Sequence, residues 1–153
     1  MPETIEELSY ELSLRALGDQ EETLKDIRGR ASTVLAASSL VASFIGGRAF
    51  DAVGFNWATV PGIAAFVLTI APAVYVLDPT GSLRFSLDGT EVYEHFAARG
   101  SSVADAQRDL AYWIEDARRR NRTVVERAWW SLRVGLSALV LEVVMFLVAL
   151  GVH

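Results

Sequence analysis

The chain has 153 residues, 52% of them hydrophobic, with 14 basic and 19 acidic side chains and a net charge of -5. That length suits one domain and is short for two independent ones. The Arg-rich stretch is short and mixed with acids, which disfavours nucleic acid as a partner. The lack of Cys removes disulfide frameworks, thiolate zinc sites and Cys nucleophiles, and two His are too few for a histidine-built metal site.

Charge is distributed very unevenly. Residues 31–47, 52–77 and 143–152 carry none, whereas residues 1–30 and 78–130 are dense in it. Amphipathic helices of a soluble domain interleave charge every few positions. The pattern therefore predicts an all-α integral membrane helical bundle with three transmembrane helices, at 31–50, 57–77 and 131–152. A cytoplasmic helical extension would come from residues 1–30 and 78–130. The acidic, helix-forming start is not a signal peptide.

In chain order, Thr4 and Glu7 form a capping box, with Ile5, Leu8, Leu12 and Ala16 on one face of the helix that follows. Gly18–Asp19 is expected to interrupt that helix, and the stripe resumes at Leu24, Ile27 and Ala31. The first apolar run, 31–47, is diluted by five Ser or Thr residues. It suits packing against other helices better than contact with lipid all round. Ser38, Ala42 and Gly46 form one row of small residues, and Ser39, Ser43 and Gly47 the adjacent one. Packing within the chain and an oligomer seam are both open readings of these rows.

The second run, Ala52–Leu77, is 26 uncharged residues, enough to span roughly 30 Å of hydrocarbon. Trp57 stands at one end and Tyr75 at the other, where an aromatic belt forms. Pro61 suits a first helical turn, and Pro72 is expected to kink the helix near Leu68. Beyond it, residues 82–87 alternate as a short extended piece, and Thr90–Ala98 reads as a short helix. Ser102 and Asp105 make a second capping box. From there Val103, Ala106, Leu110, Ile114, Ala117, Asn121, Val124, Ala128 and Leu132 step by three and four, predicting one long helix continuous with the third crossing. Asn121 on that seam is either a register-setting residue or a tolerated one.

The third run, Val134–Val152, holds one charge, Glu142. Twelve of its residues are Leu, Val or Phe. At about -0.3 to -0.6 kcal/mol each, they outweigh the roughly 3 kcal/mol of a single central acid. Trp129, Trp130 and Arg133 mark its interfacial end. Basic residues near the first and third crossings place the N-terminus in the cytoplasm of an inner membrane and the C-terminus outside, with Arg48–Asn56 as the outer loop.

No Walker loop, GxGxxG or GxSxG is present, and the acids have no catalytic spacing, so neither an enzyme nor a cofactor is expected. Glu142 is the sharpest lead, because an acid at mid-membrane is expensive unless protonated, paired or hydrated. Its candidate partners are Ser38, Ser39 and Ser43, or the same residue of other subunits. A cation path or proton-sensitive gate is one reading, and a hydrogen-bonded packing acid the other. Arg118, Arg119, Arg120 and Arg122 either bind anionic headgroups or simply fix topology.

The acidic helix ending Leu24-Lys25-Asp26-Ile27-Arg28-Gly29-Arg30-Ala31 leads into the Ser-rich run Thr33–Gly47. A second crossing follows closely, and the polar helix Leu110–Arg127 leads into the last. This layout resembles small bacterial membrane proteins of the SLATT and Pycsar transmembrane-effector type. The resemblance implies a homo-oligomer that disturbs the membrane when a nucleotide signal is made, and it carries over no ligand-binding residue. An ion channel or transporter subunit using Glu142 and a structural membrane protein without a pore stand beside that reading.

Overall fold

The computed structural model describes residues 4–78 and 89–151. Among them every regular element is a helix: α1 (Ile5–Val41), a π-helical turn (Ala42–Gly46), α2 (Gly47–Val53), α3 (Thr59–Leu77), α4 (Gly89–Ala97) and α5 (Val103–Gly151). Three helical stretches, Ile5–Val53, Thr59–Leu77 and Val103–Gly151, are long and apolar enough to cross a membrane. The alternating stretch 82–87 lies outside the described residues. The chain divides into two compact units, a charged one (Met1–Leu24 with Thr80–Glu126) and an apolar one (Lys25–Pro79 with Arg127–His153).

In the charged unit, α1 opens on Thr4, whose Oγ1 accepts the Glu7 N–H at 3.2 Å. The helix runs unbroken through Gly18–Asp19, where an interruption was expected. A helical Gly is worse than Ala by about 1 kcal/mol, and each buried Leu returns about 1.5–3 kcal/mol, so Leu17 and Leu24 decide the outcome. Burial also selects a different face from the one anticipated. Leu17 and Leu24 are buried and Tyr10, Ser13 and Gln20 half-buried, whereas Ile5, Leu8 and Leu12 are exposed. At roughly 100° per residue, Leu8 lies on the opposite side of the helix from Leu17.

The start of α5 is capped by Ser102, whose Oγ accepts the Asp105 N–H at 3.2 Å and donates to the Asp105 carboxylate at 2.7 Å. Val103 is exposed, and the buried face begins at Ala111, continuing through Ile114, Ala117 and Asn121. Gln20 Nε2 on α1 donates to the Arg118 carbonyl on α5 at 3.2 Å, crossing between the two helices. After α4, Gly100 at φ +62° lets the Ser101 N–H return to the Phe96 carbonyl at 3.3 Å, a glycine-closed helix end.

In the apolar unit, α1 buries Ile27, Ala31, Val34 and Ser38. The π-helical turn follows, with the Gly47 N–H reaching the Ala42 carbonyl. Helix then continues to Val53, so the link to α3 is shorter than the anticipated Arg48–Asn56 loop. Gly54 closes α2 at φ 60°, ψ -148°, a region essentially restricted to glycine. Asn56 Oδ1 accepts the Ala58 and Thr59 N–H groups, both at 2.8 Å, and Thr59 Oγ1 donates to the Gly54 carbonyl at 2.7 Å. This self-contained turn starts α3, and Pro61 sits in its first turn, where no N–H is needed. The helix continues past Pro72 to Leu77.

On α5 the apolar unit buries Ala128, Leu132, Gly135, Ala138, Glu142, Phe146 and Ala149. The steps of three and four keep them on one face. At Gly135, α5 comes into contact with both α1 and α3. A Cβ there would stand 3.5 Å from the Thr69 carbonyl oxygen and 3.9 Å from side-chain carbons of Val34 and Pro72.

Candidate functional site: a buried carboxyl among three helices

Glu142 is fully buried, with no exposed surface. Its Oε2 accepts a hydrogen bond from Ser38 Oγ on α1 at 2.6 Å. Thr69 Oγ1 on α3 stands 3.5 Å from the same oxygen, but lies closer, at 2.9 Å, to the Ala65 carbonyl. A hydroxyl has one proton, so Thr69 gives its main bond to the backbone and at most a weak, shared one to the carboxyl. Oε1 is buried and has no hydrogen-bond partner among the described residues. The site is therefore a carboxyl held by one oxygen, with the other enclosed and unsatisfied.

Periodicity explains which candidates reach it. Ser38 and Ser39 are one residue apart, hence about 100° apart around α1. Ser38 is buried against Glu142; Ser39 and Ser43 are exposed, and Ser39 Oγ bonds back to the Leu35 carbonyl at 2.9 Å. Of the four residues of the expected polar site, the structure thus joins two, Glu142 and Ser38, and leaves Ser39 and Ser43 on the outer side. Thr69 completes the cluster and is absent from the sequence-derived set. Its signal was present, as the only hydroxyl between Val60 and Val74.

One turn along, at Phe146, the first small-residue row has its second use. Phe146 is only 3% exposed. Its ring lies between Gly46 and Gly62: a Cβ would stand 3.0 Å from it at Gly46 and 2.6 Å at Gly62. A Cβ at Gly62 would force the ring to shift, and one at Gly46 would be a tight contact. Ala49, Ala58 and Ala149 pack with Phe146 to form a small core. Beside the ring is a half-open apolar pocket of about 360 Å³, lined by Ala42, Gly46, Phe50, Ile63, Phe66 and Phe146 among others. Gly47, in the outer row, is half-buried, with open space where a Cβ would be.

The surface of the apolar unit is itself apolar. Leu40, Phe44, Val60, Val67, Leu68, Val74, Val140, Leu141, Val144 and Leu147 are all exposed. Its buried polar side chains include Ser38, Thr59, Thr69 and Glu142. Trp57 and Trp130 are exposed, and the Arg133 guanidinium lies 4.5 Å from the Trp129 ring centroid and 5.3 Å from that of Trp130. Cation–π contact of this kind holds the aromatic pair and the charge together.

In the charged unit the four Arg residues considered for headgroup binding all have carboxylate partners. Glu115 receives Arg118 at 2.8 Å and Arg119 at 3.2 Å; Asp116 pairs with Arg120, and Glu126 with Arg122 at 2.7 Å. The Arg118 hydrogen bond is the main cause holding the Glu115 carboxyl below its usual range, with Arg119 adding to it. Asp105 is likewise lowered, chiefly by the Ser102 hydroxyl. These are helix-surface pairs three and four residues apart, worth a few tenths of a kcal/mol each, at about 0.3–0.5. No protein-family profile, curated protein or solved structure matches this chain.

Proposed function

We propose that the chain is an integral membrane protein crossing the bilayer three times, with the charged unit and the N-terminus in the cytoplasm. The observation that carries this reading is the inverted polarity of the apolar unit: large aliphatic side chains outside, hydroxyls and a carboxyl inside. In water such a surface would bury nothing, whereas in lipid it is the expected solvent-facing one. The outer row Ser39, Ser43 and Gly47 is left open by the fold, which supports a homo-oligomer formed by close helix approach.

Within that setting, the role best supported by the sequence layout is that of a signal-responsive effector. The charged unit would sense the signal and the crossings would perturb the membrane. A second reading, a conductor of protons or other cations, is favoured by the buried, half-satisfied Glu142. The chain has no Cys, so single cysteines report uniquely. Resistance to alkaline carbonate extraction is expected. An impermeant maleimide should label Trp57→Cys, but not Arg119→Cys, from outside intact cells. A carbonate-soluble monomer would sink the reading, and reversed labelling would sink the orientation. Ser43→Cys should crosslink between copies, and dye release from liposomes tests perturbation directly.

A further inference from the structure

Resting on the membrane reading above, we propose that Glu142 is a proton-binding site, reached from the apolar pocket by movement of the Phe146 ring. The geometry starts from Oε1, enclosed and without a hydrogen-bond partner among the described residues. Ser38 satisfies Oε2 from α1, and Thr69 on α3 adds only a long contact to that same oxygen. No counter-ion can come from the surrounding helices. Residues 31–47 and 59–77 carry no charge, and Glu142 is the only charged residue in 134–151. The one other titratable group in α3, Tyr75, is exposed on its outer surface. The nearest charges along each helix, Arg30 and Arg48, Asp78, and Arg133, are at least two turns away in sequence.

A carboxylate in such surroundings needs a positive charge delivered to it. A metal cation of either valence needs a shell of oxygens. Here Ser38 Oγ sits at hydrogen-bond contact with Oε2, leaving no gap for an ion between them, and Thr69 Oγ1 could add only one further side-chain oxygen, short of the roughly six or more that a cation such as calcium takes. A proton needs no shell. It converts the carboxylate to a neutral acid, and an enclosed neutral O–H costs far less than an enclosed, unpaired charge.

Access follows from the helix repeat. Phe146 lies one turn beyond Glu142 on α5, and Ala42 one turn beyond Ser38 on the neighbouring segment, roughly 6 Å along each axis. Both line the apolar pocket. Phe146, set between Gly46 and Gly62, lines the pocket while Glu142, Ser38 and Thr69 do not, so its ring is the side chain whose movement would open the pocket towards the carboxyl. Proton exchange should be slow while the ring is seated and faster when it is removed.

The test is a hydrophobic carbodiimide applied to the full chain in phosphatidylcholine vesicles, with mass spectrometry locating the adduct. The reagent requires the neutral acid: the carboxyl oxygen adds to the carbodiimide carbon and the acid proton moves to nitrogen, with no group leaving before rearrangement to the acylurea. Labelling at Glu142 that falls at least tenfold as pH is raised is the expected result, with Phe146→Ala labelled severalfold faster. Absence of the adduct in both wild type and Phe146→Ala at every pH would overturn the proposal, as would labelling unchanged by pH. Protection by sodium at constant ionic strength would overturn it in favour of a metal cation. Carbonate extraction of the same vesicles checks the membrane reading independently, so the two failures are distinguishable.

Discussion

The two units use the same helical step and opposite surfaces. In the charged unit, Leu17, Leu24, Ile114 and Ala117 are buried beneath a surface of Arg–Glu and Arg–Asp pairs. In the apolar unit the interior includes Ser38, Thr69 and Glu142 among small residues and a few large apolar ones such as Leu132 and Phe146, and the exterior is rich in Leu, Val and Phe. Burial spacing alone would not separate them. What differs is which chemistry is put on the surface, the property on which the membrane proposal rests.

The comparison can be broken most forcefully at Phe146. Phe146→Ala should destabilise the apolar unit by about 3 kcal/mol, as for other large-to-small changes at filled sites, read by thermal unfolding in detergent. Gly62→Val should do comparable damage, about 1–3 kcal/mol, because its Cβ meets the ring. In the charged unit Ile114→Ala should lose about 2–4 kcal/mol, whereas Leu147→Ala, on an exposed position of the apolar unit, should lose little. Leu147→Lys sharpens the contrast: it should reduce membrane insertion by about 3 kcal/mol in a glycosylation-tagged insertion assay, and be neutral if that surface faces water.

Ser38→Ala should have a smaller effect, about 1 kcal/mol, by stripping the hydrogen bond from Glu142 Oε2. Arg120→Ala, at an exposed pair, should stay within about 0.5 kcal/mol by urea unfolding. Acid provides the smallest effect and a sign to check. Glu115 has its carboxyl lowered in the folded state, so its contribution is present above the ordinary carboxylate range and lost as pH falls through the lowered one. Glu115→Gln should flatten that part of the stability–pH curve, followed by circular dichroism.

The all-α class, the three long apolar helices and the continuity of α5 were legible because charge segregation and three-four spacing survive in any local window. The short helix near Thr90 and both capping boxes were legible for the same reason: each is decided within a few residues. The buried face of α1 was not. Ile5, Leu8 and Leu12 make as good a stripe as Leu17 and Leu24, and only the partner helix chooses. The polar site was half legible: Glu142 announces itself, but whether Ser38 or Ser39 faces it depends on a rotation of 100°, and Thr69 arrives from a helix with no periodic mark. The π-helical turn left no signature at all.

That turn has its own consequence for how the chain tolerates change. A π-helical turn is a helix that has absorbed one residue too many, so deleting one residue within Ala42–Gly46 is the edit that regularises it. Ordinary single deletions in a helix swing everything downstream by about 100° and scramble its packing. Here the shortened segment would become plain α-helix, but Gly46 and Ala49 would leave their places against Phe146. The surplus residue therefore acts as a spacer, letting the helix before it meet α5 at Glu142 and the helix after it meet α5 at Phe146.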